Sequence, residues 1–287
     1  MKIMRSFGLT ALFLLLSVSG QALLPPQYTE ELFDVNTATQ PSRIIVKYFE
    51  PIDKGFRVEI GNRINNVMVV DFKDNHRTAC WEYDTKGNLK EKYELAYNEY
   101  GILASVSKKD KNQNVQLREE FVYSNPKNEN TLKEKRIYNQ SDLNLLGQEL
   151  FLRDKQGRVS ASRHLDGAGK EKYTDSYTYN SEGLVEREVR LDPSGSRRSE
   201  TEKDYDEEGR MISEIVYDRN GKTVAQSKYS YNIKGLPDQI TMTTTEVMAE
   251  YYTIEYTYDE RGNWIQQVIY KGMGRVPEVV VVRTITY

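Results

Sequence analysis

The stretch "YTYDERGNWIQQVIY", residues 256–270, reads as two β-strands joined by a tight turn. Asp259 opens the turn and Gly262 closes it. An Asp side chain caps such a turn, and glycine supplies the positive φ that most other residues resist. A short hairpin loop of this kind places Tyr258 opposite Trp264. The stretch therefore predicts an antiparallel β-hairpin with these two rings on one face of the sheet.

The turn recurs through the chain with a nearly constant period. Its glycines are separated by intervals of 26, 26, 26 and 27 residues, at Gly157, Gly183, Gly209, Gly235 and Gly262. A tyrosine usually stands four residues before the glycine, and a second set of glycines falls between the first. One hairpin per period predicts an all-β fold, an antiparallel β-hairpin meander of about 16 strands. We expect a long twisted or curled sheet that is open or partly closed.

The segment "LDPSGSRRSETEKDYDEEGRMISEI", Leu191–Ile215, carries two versions of the turn. One is Asp-Pro-x-Gly at Asp192 and Gly195, and the other is Tyr-Asp-x-x-Gly-Arg at Tyr205 and Gly209. This alternation resembles the YD repeat of Rhs-type proteins. The resemblance implies hairpins that wind into a curled sheet, which in that family forms a toxin shell or an extracellular adhesive surface. This chain departs from the large members because it is short and no toxin-like domain follows its repeats, so we expect an exported, repeat-only member of the family.

The N-terminus has the pattern of a secretory signal peptide. Lys2 and Arg5 precede a short apolar run from Phe7 to Val18, and a small-x-small cleavage site follows. The run is too short for a comfortable membrane span. We expect cleavage of residues 1–22 and export of the mature chain to the periplasm, the cell surface or the medium, with no stable membrane span remaining.

The remainder divides into two parts. Residues 23–50 fit the repeat poorly and form a predicted lead-in, which contains one predicted strand, "RIIVKYF", at Arg43–Phe49. Residues 51–287 form the predicted repeat domain. The final run, Glu278–Tyr287, is apolar enough to be a buried closing strand, because an exposed edge of this kind would aggregate.

Composition excludes several classes of function. The net charge is only −3 with 29% charged residues, so no basic excess favours nucleic acid. Cys80 is the single cysteine, which excludes an intrachain disulfide and a multi-cysteine metal site. We expect it to be a small buried hydrophobic residue. The mean hydropathy of −0.70 and the 21 tyrosines favour a thin, tyrosine-rich β structure.

No catalytic constellation stands out. His76 and His164 are the only histidines, and each lies near a proposed strand end, where a solvated turn position is expected. The Asp residues recur with the turns, so they are more economically turn caps than catalysts. We therefore predict no catalytic residue, no metal and no cofactor, and a chain that is not an enzyme.

The tyrosine stripe allows two interpretations. Stacked rings could bind sugars or peptides at low entropic cost. Alternatively the rings are the core-facing row of a thin sheet, which the one-copy-per-hairpin period favours. The candidate ligand-binding residues are Tyr177, Tyr179, Tyr229, Tyr231, Tyr256, Tyr258 and Trp264.

Three functions remain open. The first is a non-catalytic exported protein with a structural or binding role at the cell envelope, whose partner is a glycan, an envelope component or another protein. The second is an outer-membrane β-barrel, although Arg187 and the charged strand Ser196–Asp206 break the alternation that lipid requires. The third is an envelope hydrolase with a carboxylate pair.

Overall fold

The computed structural model describes residues 39–64, 67–139, 144–245 and 249–287. The predicted signal peptide lies outside the described residues. Among those residues, no helix is long and apolar enough to cross a membrane. The described chain contains a short 3₁₀ turn, Glu129–Thr131, and 19 β-strands. The strands are β1 Arg43–Asp53, β2 Val58–Arg63, β3 Val67–Lys73, β4 His76–Tyr83, β5 Leu89–Tyr97, β6 Leu103–Lys109, β7 Val115–Tyr123, β8 Leu132–Asn139, β9 Leu145–Arg153, β10 Val159–Asp166, β11 Glu171–Tyr179, β12 Val185–Leu191, β13 Arg197–Tyr205, β14 Met211–Asp218, β15 Thr223–Tyr231, β16 Pro237–Thr244, β17 Glu250–Tyr258, β18 Trp264–Lys271 and β19 Val276–Thr286.

The strands close into a barrel. From β3 to β19 each strand pairs antiparallel with the next, and β1 joins the two ends because Ile44 lies opposite both Val70 of β3 and Ile285 of β19. This makes a ring of 18 strands, with β2 paired to the second half of β1. The predicted antiparallel hairpin meander is confirmed, but the expectation of an open or partly closed sheet is wrong.

Closure has a simple physical cause. β1 and β19 are rich in Val and Ile, and each would be an apolar sheet edge if the ring were open. β19 is hydrogen-bonded to β18 on one side and to β1 on the other, which confirms the predicted closing strand. The barrel therefore begins at Arg43, inside the segment predicted as a lead-in.

The turns follow the predicted chemistry. In the turn after β13, the Gly209 N–H donates to the Asp206 carbonyl at 2.9 Å, and the Arg210 N–H donates to the Asp206 carboxylate at 2.8 Å. The φ of Gly209 is +77°, and its four counterparts at the 26-residue spacing lie between +78° and +82°. The predicted pairing of Tyr258 with Trp264 is also confirmed.

The two faces of the sheet differ in exposure. Along β17, Tyr252 and Ile254 are buried, whereas the alternate residues Tyr251 and Glu255 are exposed. The residues of this face lie opposite one another on neighbouring strands, so the face is continuous around the whole ring. Most of the buried side chains lie on this continuous face, so it is the inner wall of the barrel, although Val280 and Val268 are buried on the outer face.

The inner wall has an apolar sector and a charged sector. The apolar sector lies on β15–β19, β1 and β3 and forms the hydrophobic core. Its most buried members are Ile44, Val46, Val70, Ile240, Ile254, Ile269 and Val281, which are at most 4% exposed. Trp264 belongs to this sector and is 3% exposed. The charged sector lies on β8–β14.

One rim of the barrel carries the tyrosine turns, and we call it the tyrosine rim; its turns include 154–158, 180–184, 206–210, 232–236 and 259–263. There the ladders between successive hairpins stop early. The β12–β13 ladder ends at Arg187 and Glu202, three residues before Tyr205. The Tyr205 hydroxyl crosses the resulting split and donates to the Val185 carbonyl at 2.7 Å. The same bond recurs at 2.5–2.8 Å from Tyr97 to Arg77, Tyr123 to Leu103, Tyr179 to Val159 and Tyr231 to Met211.

The split between β16 and β17 is deeper than the others. Their ladder ends at Gln239 and Thr253, five residues before Tyr258. Here Tyr256 makes the bridge, and its hydroxyl donates to the Pro237 carbonyl at 2.7 Å.

Candidate functional site

The charged sector of the inner wall holds a line of ion pairs, which we call the inner polar cluster. Arg190 donates to both Asp175 carboxylate oxygens, at 2.7 and 3.0 Å. The His164 Nε2 atom lies 3.2 Å from Asp175 Oδ2 and 3.6 Å from Glu149 Oε1. Glu149 in turn accepts from Lys135 at 2.8 Å. Lys135, Glu149, His164 and Asp175 therefore follow one another across four neighbouring strands, β8 to β11, and β12 supplies Arg190.

Aromatic rings and hydroxyls cover the cluster. The Tyr173 ring stacks on His164 with centroids 4.1 Å apart, and the Arg190 guanidinium lies 4.4 Å from the same ring. Ser162, which has no exposed surface, places its hydroxyl 3.2 Å from the Tyr177 hydroxyl. Burial raises the pKa of Tyr177, so its hydroxyl stays protonated and available as a donor.

The carboxyl groups of this sector have opposite pKa shifts. Burial acts to raise the pKa of Asp175, but hydrogen bonds from His164 and Arg190 outweigh it and hold that pKa below its ordinary value. Burial raises the pKa values of Glu188 and Glu214. These two glutamates share the ammonium of Lys203, at 3.8 and 4.0 Å, which offsets only part of the desolvation cost.

The geometry does not build a nucleophilic triad. Ser162 and Asp175 both approach the same imidazole nitrogen, Nε2 of His164, whereas a relay needs the serine and the carboxylate on opposite nitrogens. Arg190 already neutralises Asp175. Within the described ranges, no group of three His, Cys, Asp or Glu side chains could hold a metal ion. The cluster can hold charge and fix side chains, and it contains no activated nucleophile.

His164 corrects one expectation. It lies within β10 on the inner wall and not in a solvated turn, because the period-two pattern places it beside Asp175 on the next strand. His76 is exposed next to the β3–β4 turn, as expected. Cys80 is partly buried, and burial raises the pKa of its thiol, which agrees with a small packed side chain.

Sequence reasoning missed the inner polar cluster, although a signal was present. In β11, "EKYTDSYTY", the residues Tyr173, Asp175 and Tyr177 alternate and so share the face of the tyrosine stripe. A carboxylate in that row indicates a polar patch on an inner wall. The arginine and lysine partners come from other strands, and only the pairing register identifies them.

The structure places all the candidate tyrosines on the inner face but divides them between the sectors. Tyr177 and Tyr179 lie in the charged sector, while the others lie in or against the apolar core. Tyr256 lies near both Tyr258 and Trp264, with ring centroids 6.2 Å apart in each pair. A ligand-binding role for these rings stays a prediction.

Comparison with known proteins does not assign this chain to a family. No family model matches this chain, and no curated protein matches it. Membership in the YD-repeat family is therefore not shown and stays a prediction.

Several solved structures are similar at low scores. A porin-like protein from Bacteroides uniformis is 15% identical over 86% of this chain and 97% of its own, with a TM-score of 0.40. A porin-like protein from Bacteroides vulgatus is 9% identical over 74% of this chain and 95% of its own, with a TM-score of 0.32. The TcdB2-TccC3 structure is 12% identical over 78% of this chain, with a TM-score of 0.37, and the match spans 15% of that longer chain.

Proposed function

We propose that this chain is a non-catalytic, exported β-barrel of the cell envelope, whose outer face is in contact with water and binds an envelope component. The predicted signal peptide supports export, and the closed ring supports a barrel rather than an extended sheet. The main support for the proposal is that charged residues lie on the outer face of the barrel.

Charged residues lie on the outer face of β5, β6, β12 and β13, with Lys92 and Glu94 near the centre of β5. Glu94 lies between Lys92 and Lys109, at 2.6 and 2.5 Å. Arg187 bonds to Glu200 at 2.6 Å. A lysine or arginine facing lipid near the bilayer midplane costs about 2–4 kcal/mol, so several such residues oppose insertion.

The second candidate is an outer-membrane β-barrel. A closed antiparallel ring with an even number of strands and a partly polar inner wall is the architecture of that class, and it agrees with that function better than with an open repeat sheet. The closed fold therefore favours it, and the charges of the outer face oppose it. The two candidates predict different behaviour towards detergent.

The geometry of the inner polar cluster supports the proposed non-catalytic role. Its one histidine shares a single nitrogen between Ser162 and Asp175, and Ser162 is fully buried. The carboxylate-pair hydrolase would need an accessible acid beside an ionised carboxylate. Glu188 is 6% exposed, and Asp175 is 3% exposed and bound by Arg190. These groups are better placed to hold the barrel wall together.

Fractionation tests the proposal. The full chain, with a tag after Tyr287, would be expressed in a Gram-negative bacterium and the cells separated into cytoplasm, periplasm, medium and outer membrane. Membranes would then be washed with carbonate and partitioned in Triton X-114. Recovery from periplasm, medium or the carbonate wash, in the aqueous phase, is expected. Retention in the carbonate-washed outer membrane, with recovery only in detergent, would overturn the aqueous barrel in favour of the second candidate.

A further inference from the structure

The deep split between β16 and β17 opens into a cleft of about 670 Å³ on the outside of the barrel. One wall is the outer face of β17 and β18, including Glu255, Gln266 and Val268. The β15–β16 turn forms another wall. The cleft is a shallow depression that is widely open to solvent.

The hairpin formed by β1 and β2 supplies the remaining wall. Its tip, Phe56 to Val58, lines the cleft together with Val268 and Tyr270. β1 leaves β19 after Phe49, which lets the hairpin tip lie beside the outer face of β18. The cleft is therefore assembled from three parts of the chain that are distant in sequence.

Two apolar side chains at the cleft are largely exposed to solvent. Phe56 is 85% exposed and Ile233 is fully exposed, and both line the cleft. Both side chains are therefore accessible to a molecule that enters the cleft. Phe56 offers a flat apolar ring, with the Arg57 guanidinium 5.6 Å from its centroid.

The charges of the lining residues cancel. Arg57 and Lys234 are positive, and Asp238 and Glu255 are negative. Three of these groups already have partners, because Arg57 pairs with Glu59, Glu255 pairs with Arg275, and Asp238 accepts from the Ser230 hydroxyl at 2.7 Å. A balanced and largely compensated set of charges favours a neutral ligand over an ion.

Neutral hydrogen-bonding groups remain for that ligand. Within the described part of the chain, the Gln266 amide and the Thr257 hydroxyl make no side-chain hydrogen bond, and both line the cleft. An amide donates and accepts at once, as does a hydroxyl. This combination suits a molecule that is dense in hydroxyl groups and also has an apolar face.

We propose that the cleft is a binding site for a neutral oligosaccharide, with one sugar ring stacked on Phe56 and its hydroxyls bonded to Gln266 and Thr257. The proposal rests on the proposed function, because a lipid-embedded outer face would have no aqueous cleft. An added peptide strand fits less well, since the Tyr256 side chain already crosses the split and bonds to the Pro237 carbonyl.

The test uses the purified full-length protein on an array of neutral and acidic glycans, followed by calorimetry with the strongest hit. We expect a neutral hexose or N-acetylhexosamine oligomer to bind. Phe56→Ala should weaken that binding about tenfold or more, and Gln266→Ala should weaken it as well. Met273→Ala is the matched control, because Met273 is 81% exposed and lies outside the cleft lining.

Each outcome decides the proposal. Neutral-glycan binding that Phe56→Ala weakens and Met273→Ala leaves unchanged supports it. The proposal is overturned if no neutral glycan binds, if only acidic glycans bind, or if Phe56→Ala binds the neutral glycan as well as Met273→Ala does. Urea unfolding of Phe56→Ala checks that the barrel is intact. A protein that fractionates as aqueous but binds no glycan overturns the sugar site alone, whereas membrane retention overturns the aqueous barrel as well.

Discussion

The Tyr205 hydroxyl donates to the carbonyl of Val185, twenty residues earlier, at 2.7 Å. The bond spans a split where the β12–β13 ladder has already ended. Burial raises the pKa of Tyr205 to about 12, so the donor keeps its proton at every ordinary pH. The same relationship in other repeats explains why a tyrosine recurs before the turn. Its ring packs on the inner wall, and its hydroxyl satisfies a carbonyl that the next strand leaves unbonded.

Tyr205→Phe should lower the free energy of unfolding by about 1 kcal/mol, because a partly buried carbonyl loses its donor while the ring is kept. Urea unfolding followed by circular dichroism measures the change. Tyr217→Phe is the matched control, since its hydroxyl bonds to Glu202 on the exposed outer face, and it should cost less than about 0.5 kcal/mol. If both variants lose the same free energy of unfolding, the hydrogen bond across the split does not stabilise the barrel more than the exposed bond of Tyr217 does.

Gly235→Ala should destabilise the barrel by about 1 kcal/mol or more, because Gly235 has a φ of +78° that alanine resists. The space around it is open, so no steric contact contributes. Gly274→Ala tests the same change in open space at a glycine without positive φ, and it should be close to neutral. Thermal unfolding of both variants compares them. If Gly274→Ala costs as much as Gly235→Ala, backbone conformation is not the cause.

Asp175→Asn should lower the free energy of unfolding by about 1–3 kcal/mol, because the partly buried guanidinium of Arg190 loses its carboxylate partner. The folded-state pKa of Asp175 lies below its ordinary value of 3.8, so its stabilising contribution is present above that value. The contribution is lost as the pH falls through the folded-state pKa. Urea unfolding from pH 7 down to pH 3 should therefore show a steeper acid loss in the wild type than in the variant. If the free energy of unfolding falls equally with pH in the wild type and in the variant, Asp175 does not stabilise the fold through its charge.

Glu214→Gln should raise the free energy of unfolding at pH 7. The folded-state pKa of Glu214 is raised above 4.5 by burial, so folding favours the protonated form. Stability is then lost as the pH rises from about 4.5 through the folded-state pKa, and glutamine removes that loss. Lys203 keeps Glu188 as a partner. Unfolding measured between pH 4.5 and 7.5 tests this, with exposed Glu202→Gln as the control. A variant less stable than the wild type at pH 7 would show that the pair with Lys203 outweighs the desolvation cost.

The hairpins could be predicted because their causes are local. Asp206, Gly209 and the tyrosine four residues before the glycine act within a few residues of each other, and the 26-residue period repeats them. The pairing of Tyr258 with Trp264 followed from the same turn geometry. The position of His164 could not be predicted in this way, because its partners come from neighbouring strands.

By itself the sequence determined an antiparallel meander, its turn chemistry and the shared face of the tyrosines, because turn capping and period-two alternation act between near neighbours. Only the tertiary structure decided that Ile44 meets Ile285 and closes the ring, since that pairing joins the two ends of the described chain. The tertiary structure also decided which face is the inner wall, where Asp175 and Arg190 meet, and that the β1–β2 hairpin lines a cleft with β18. These relationships depend on register and closure around all 18 strands, and no local pattern encodes them.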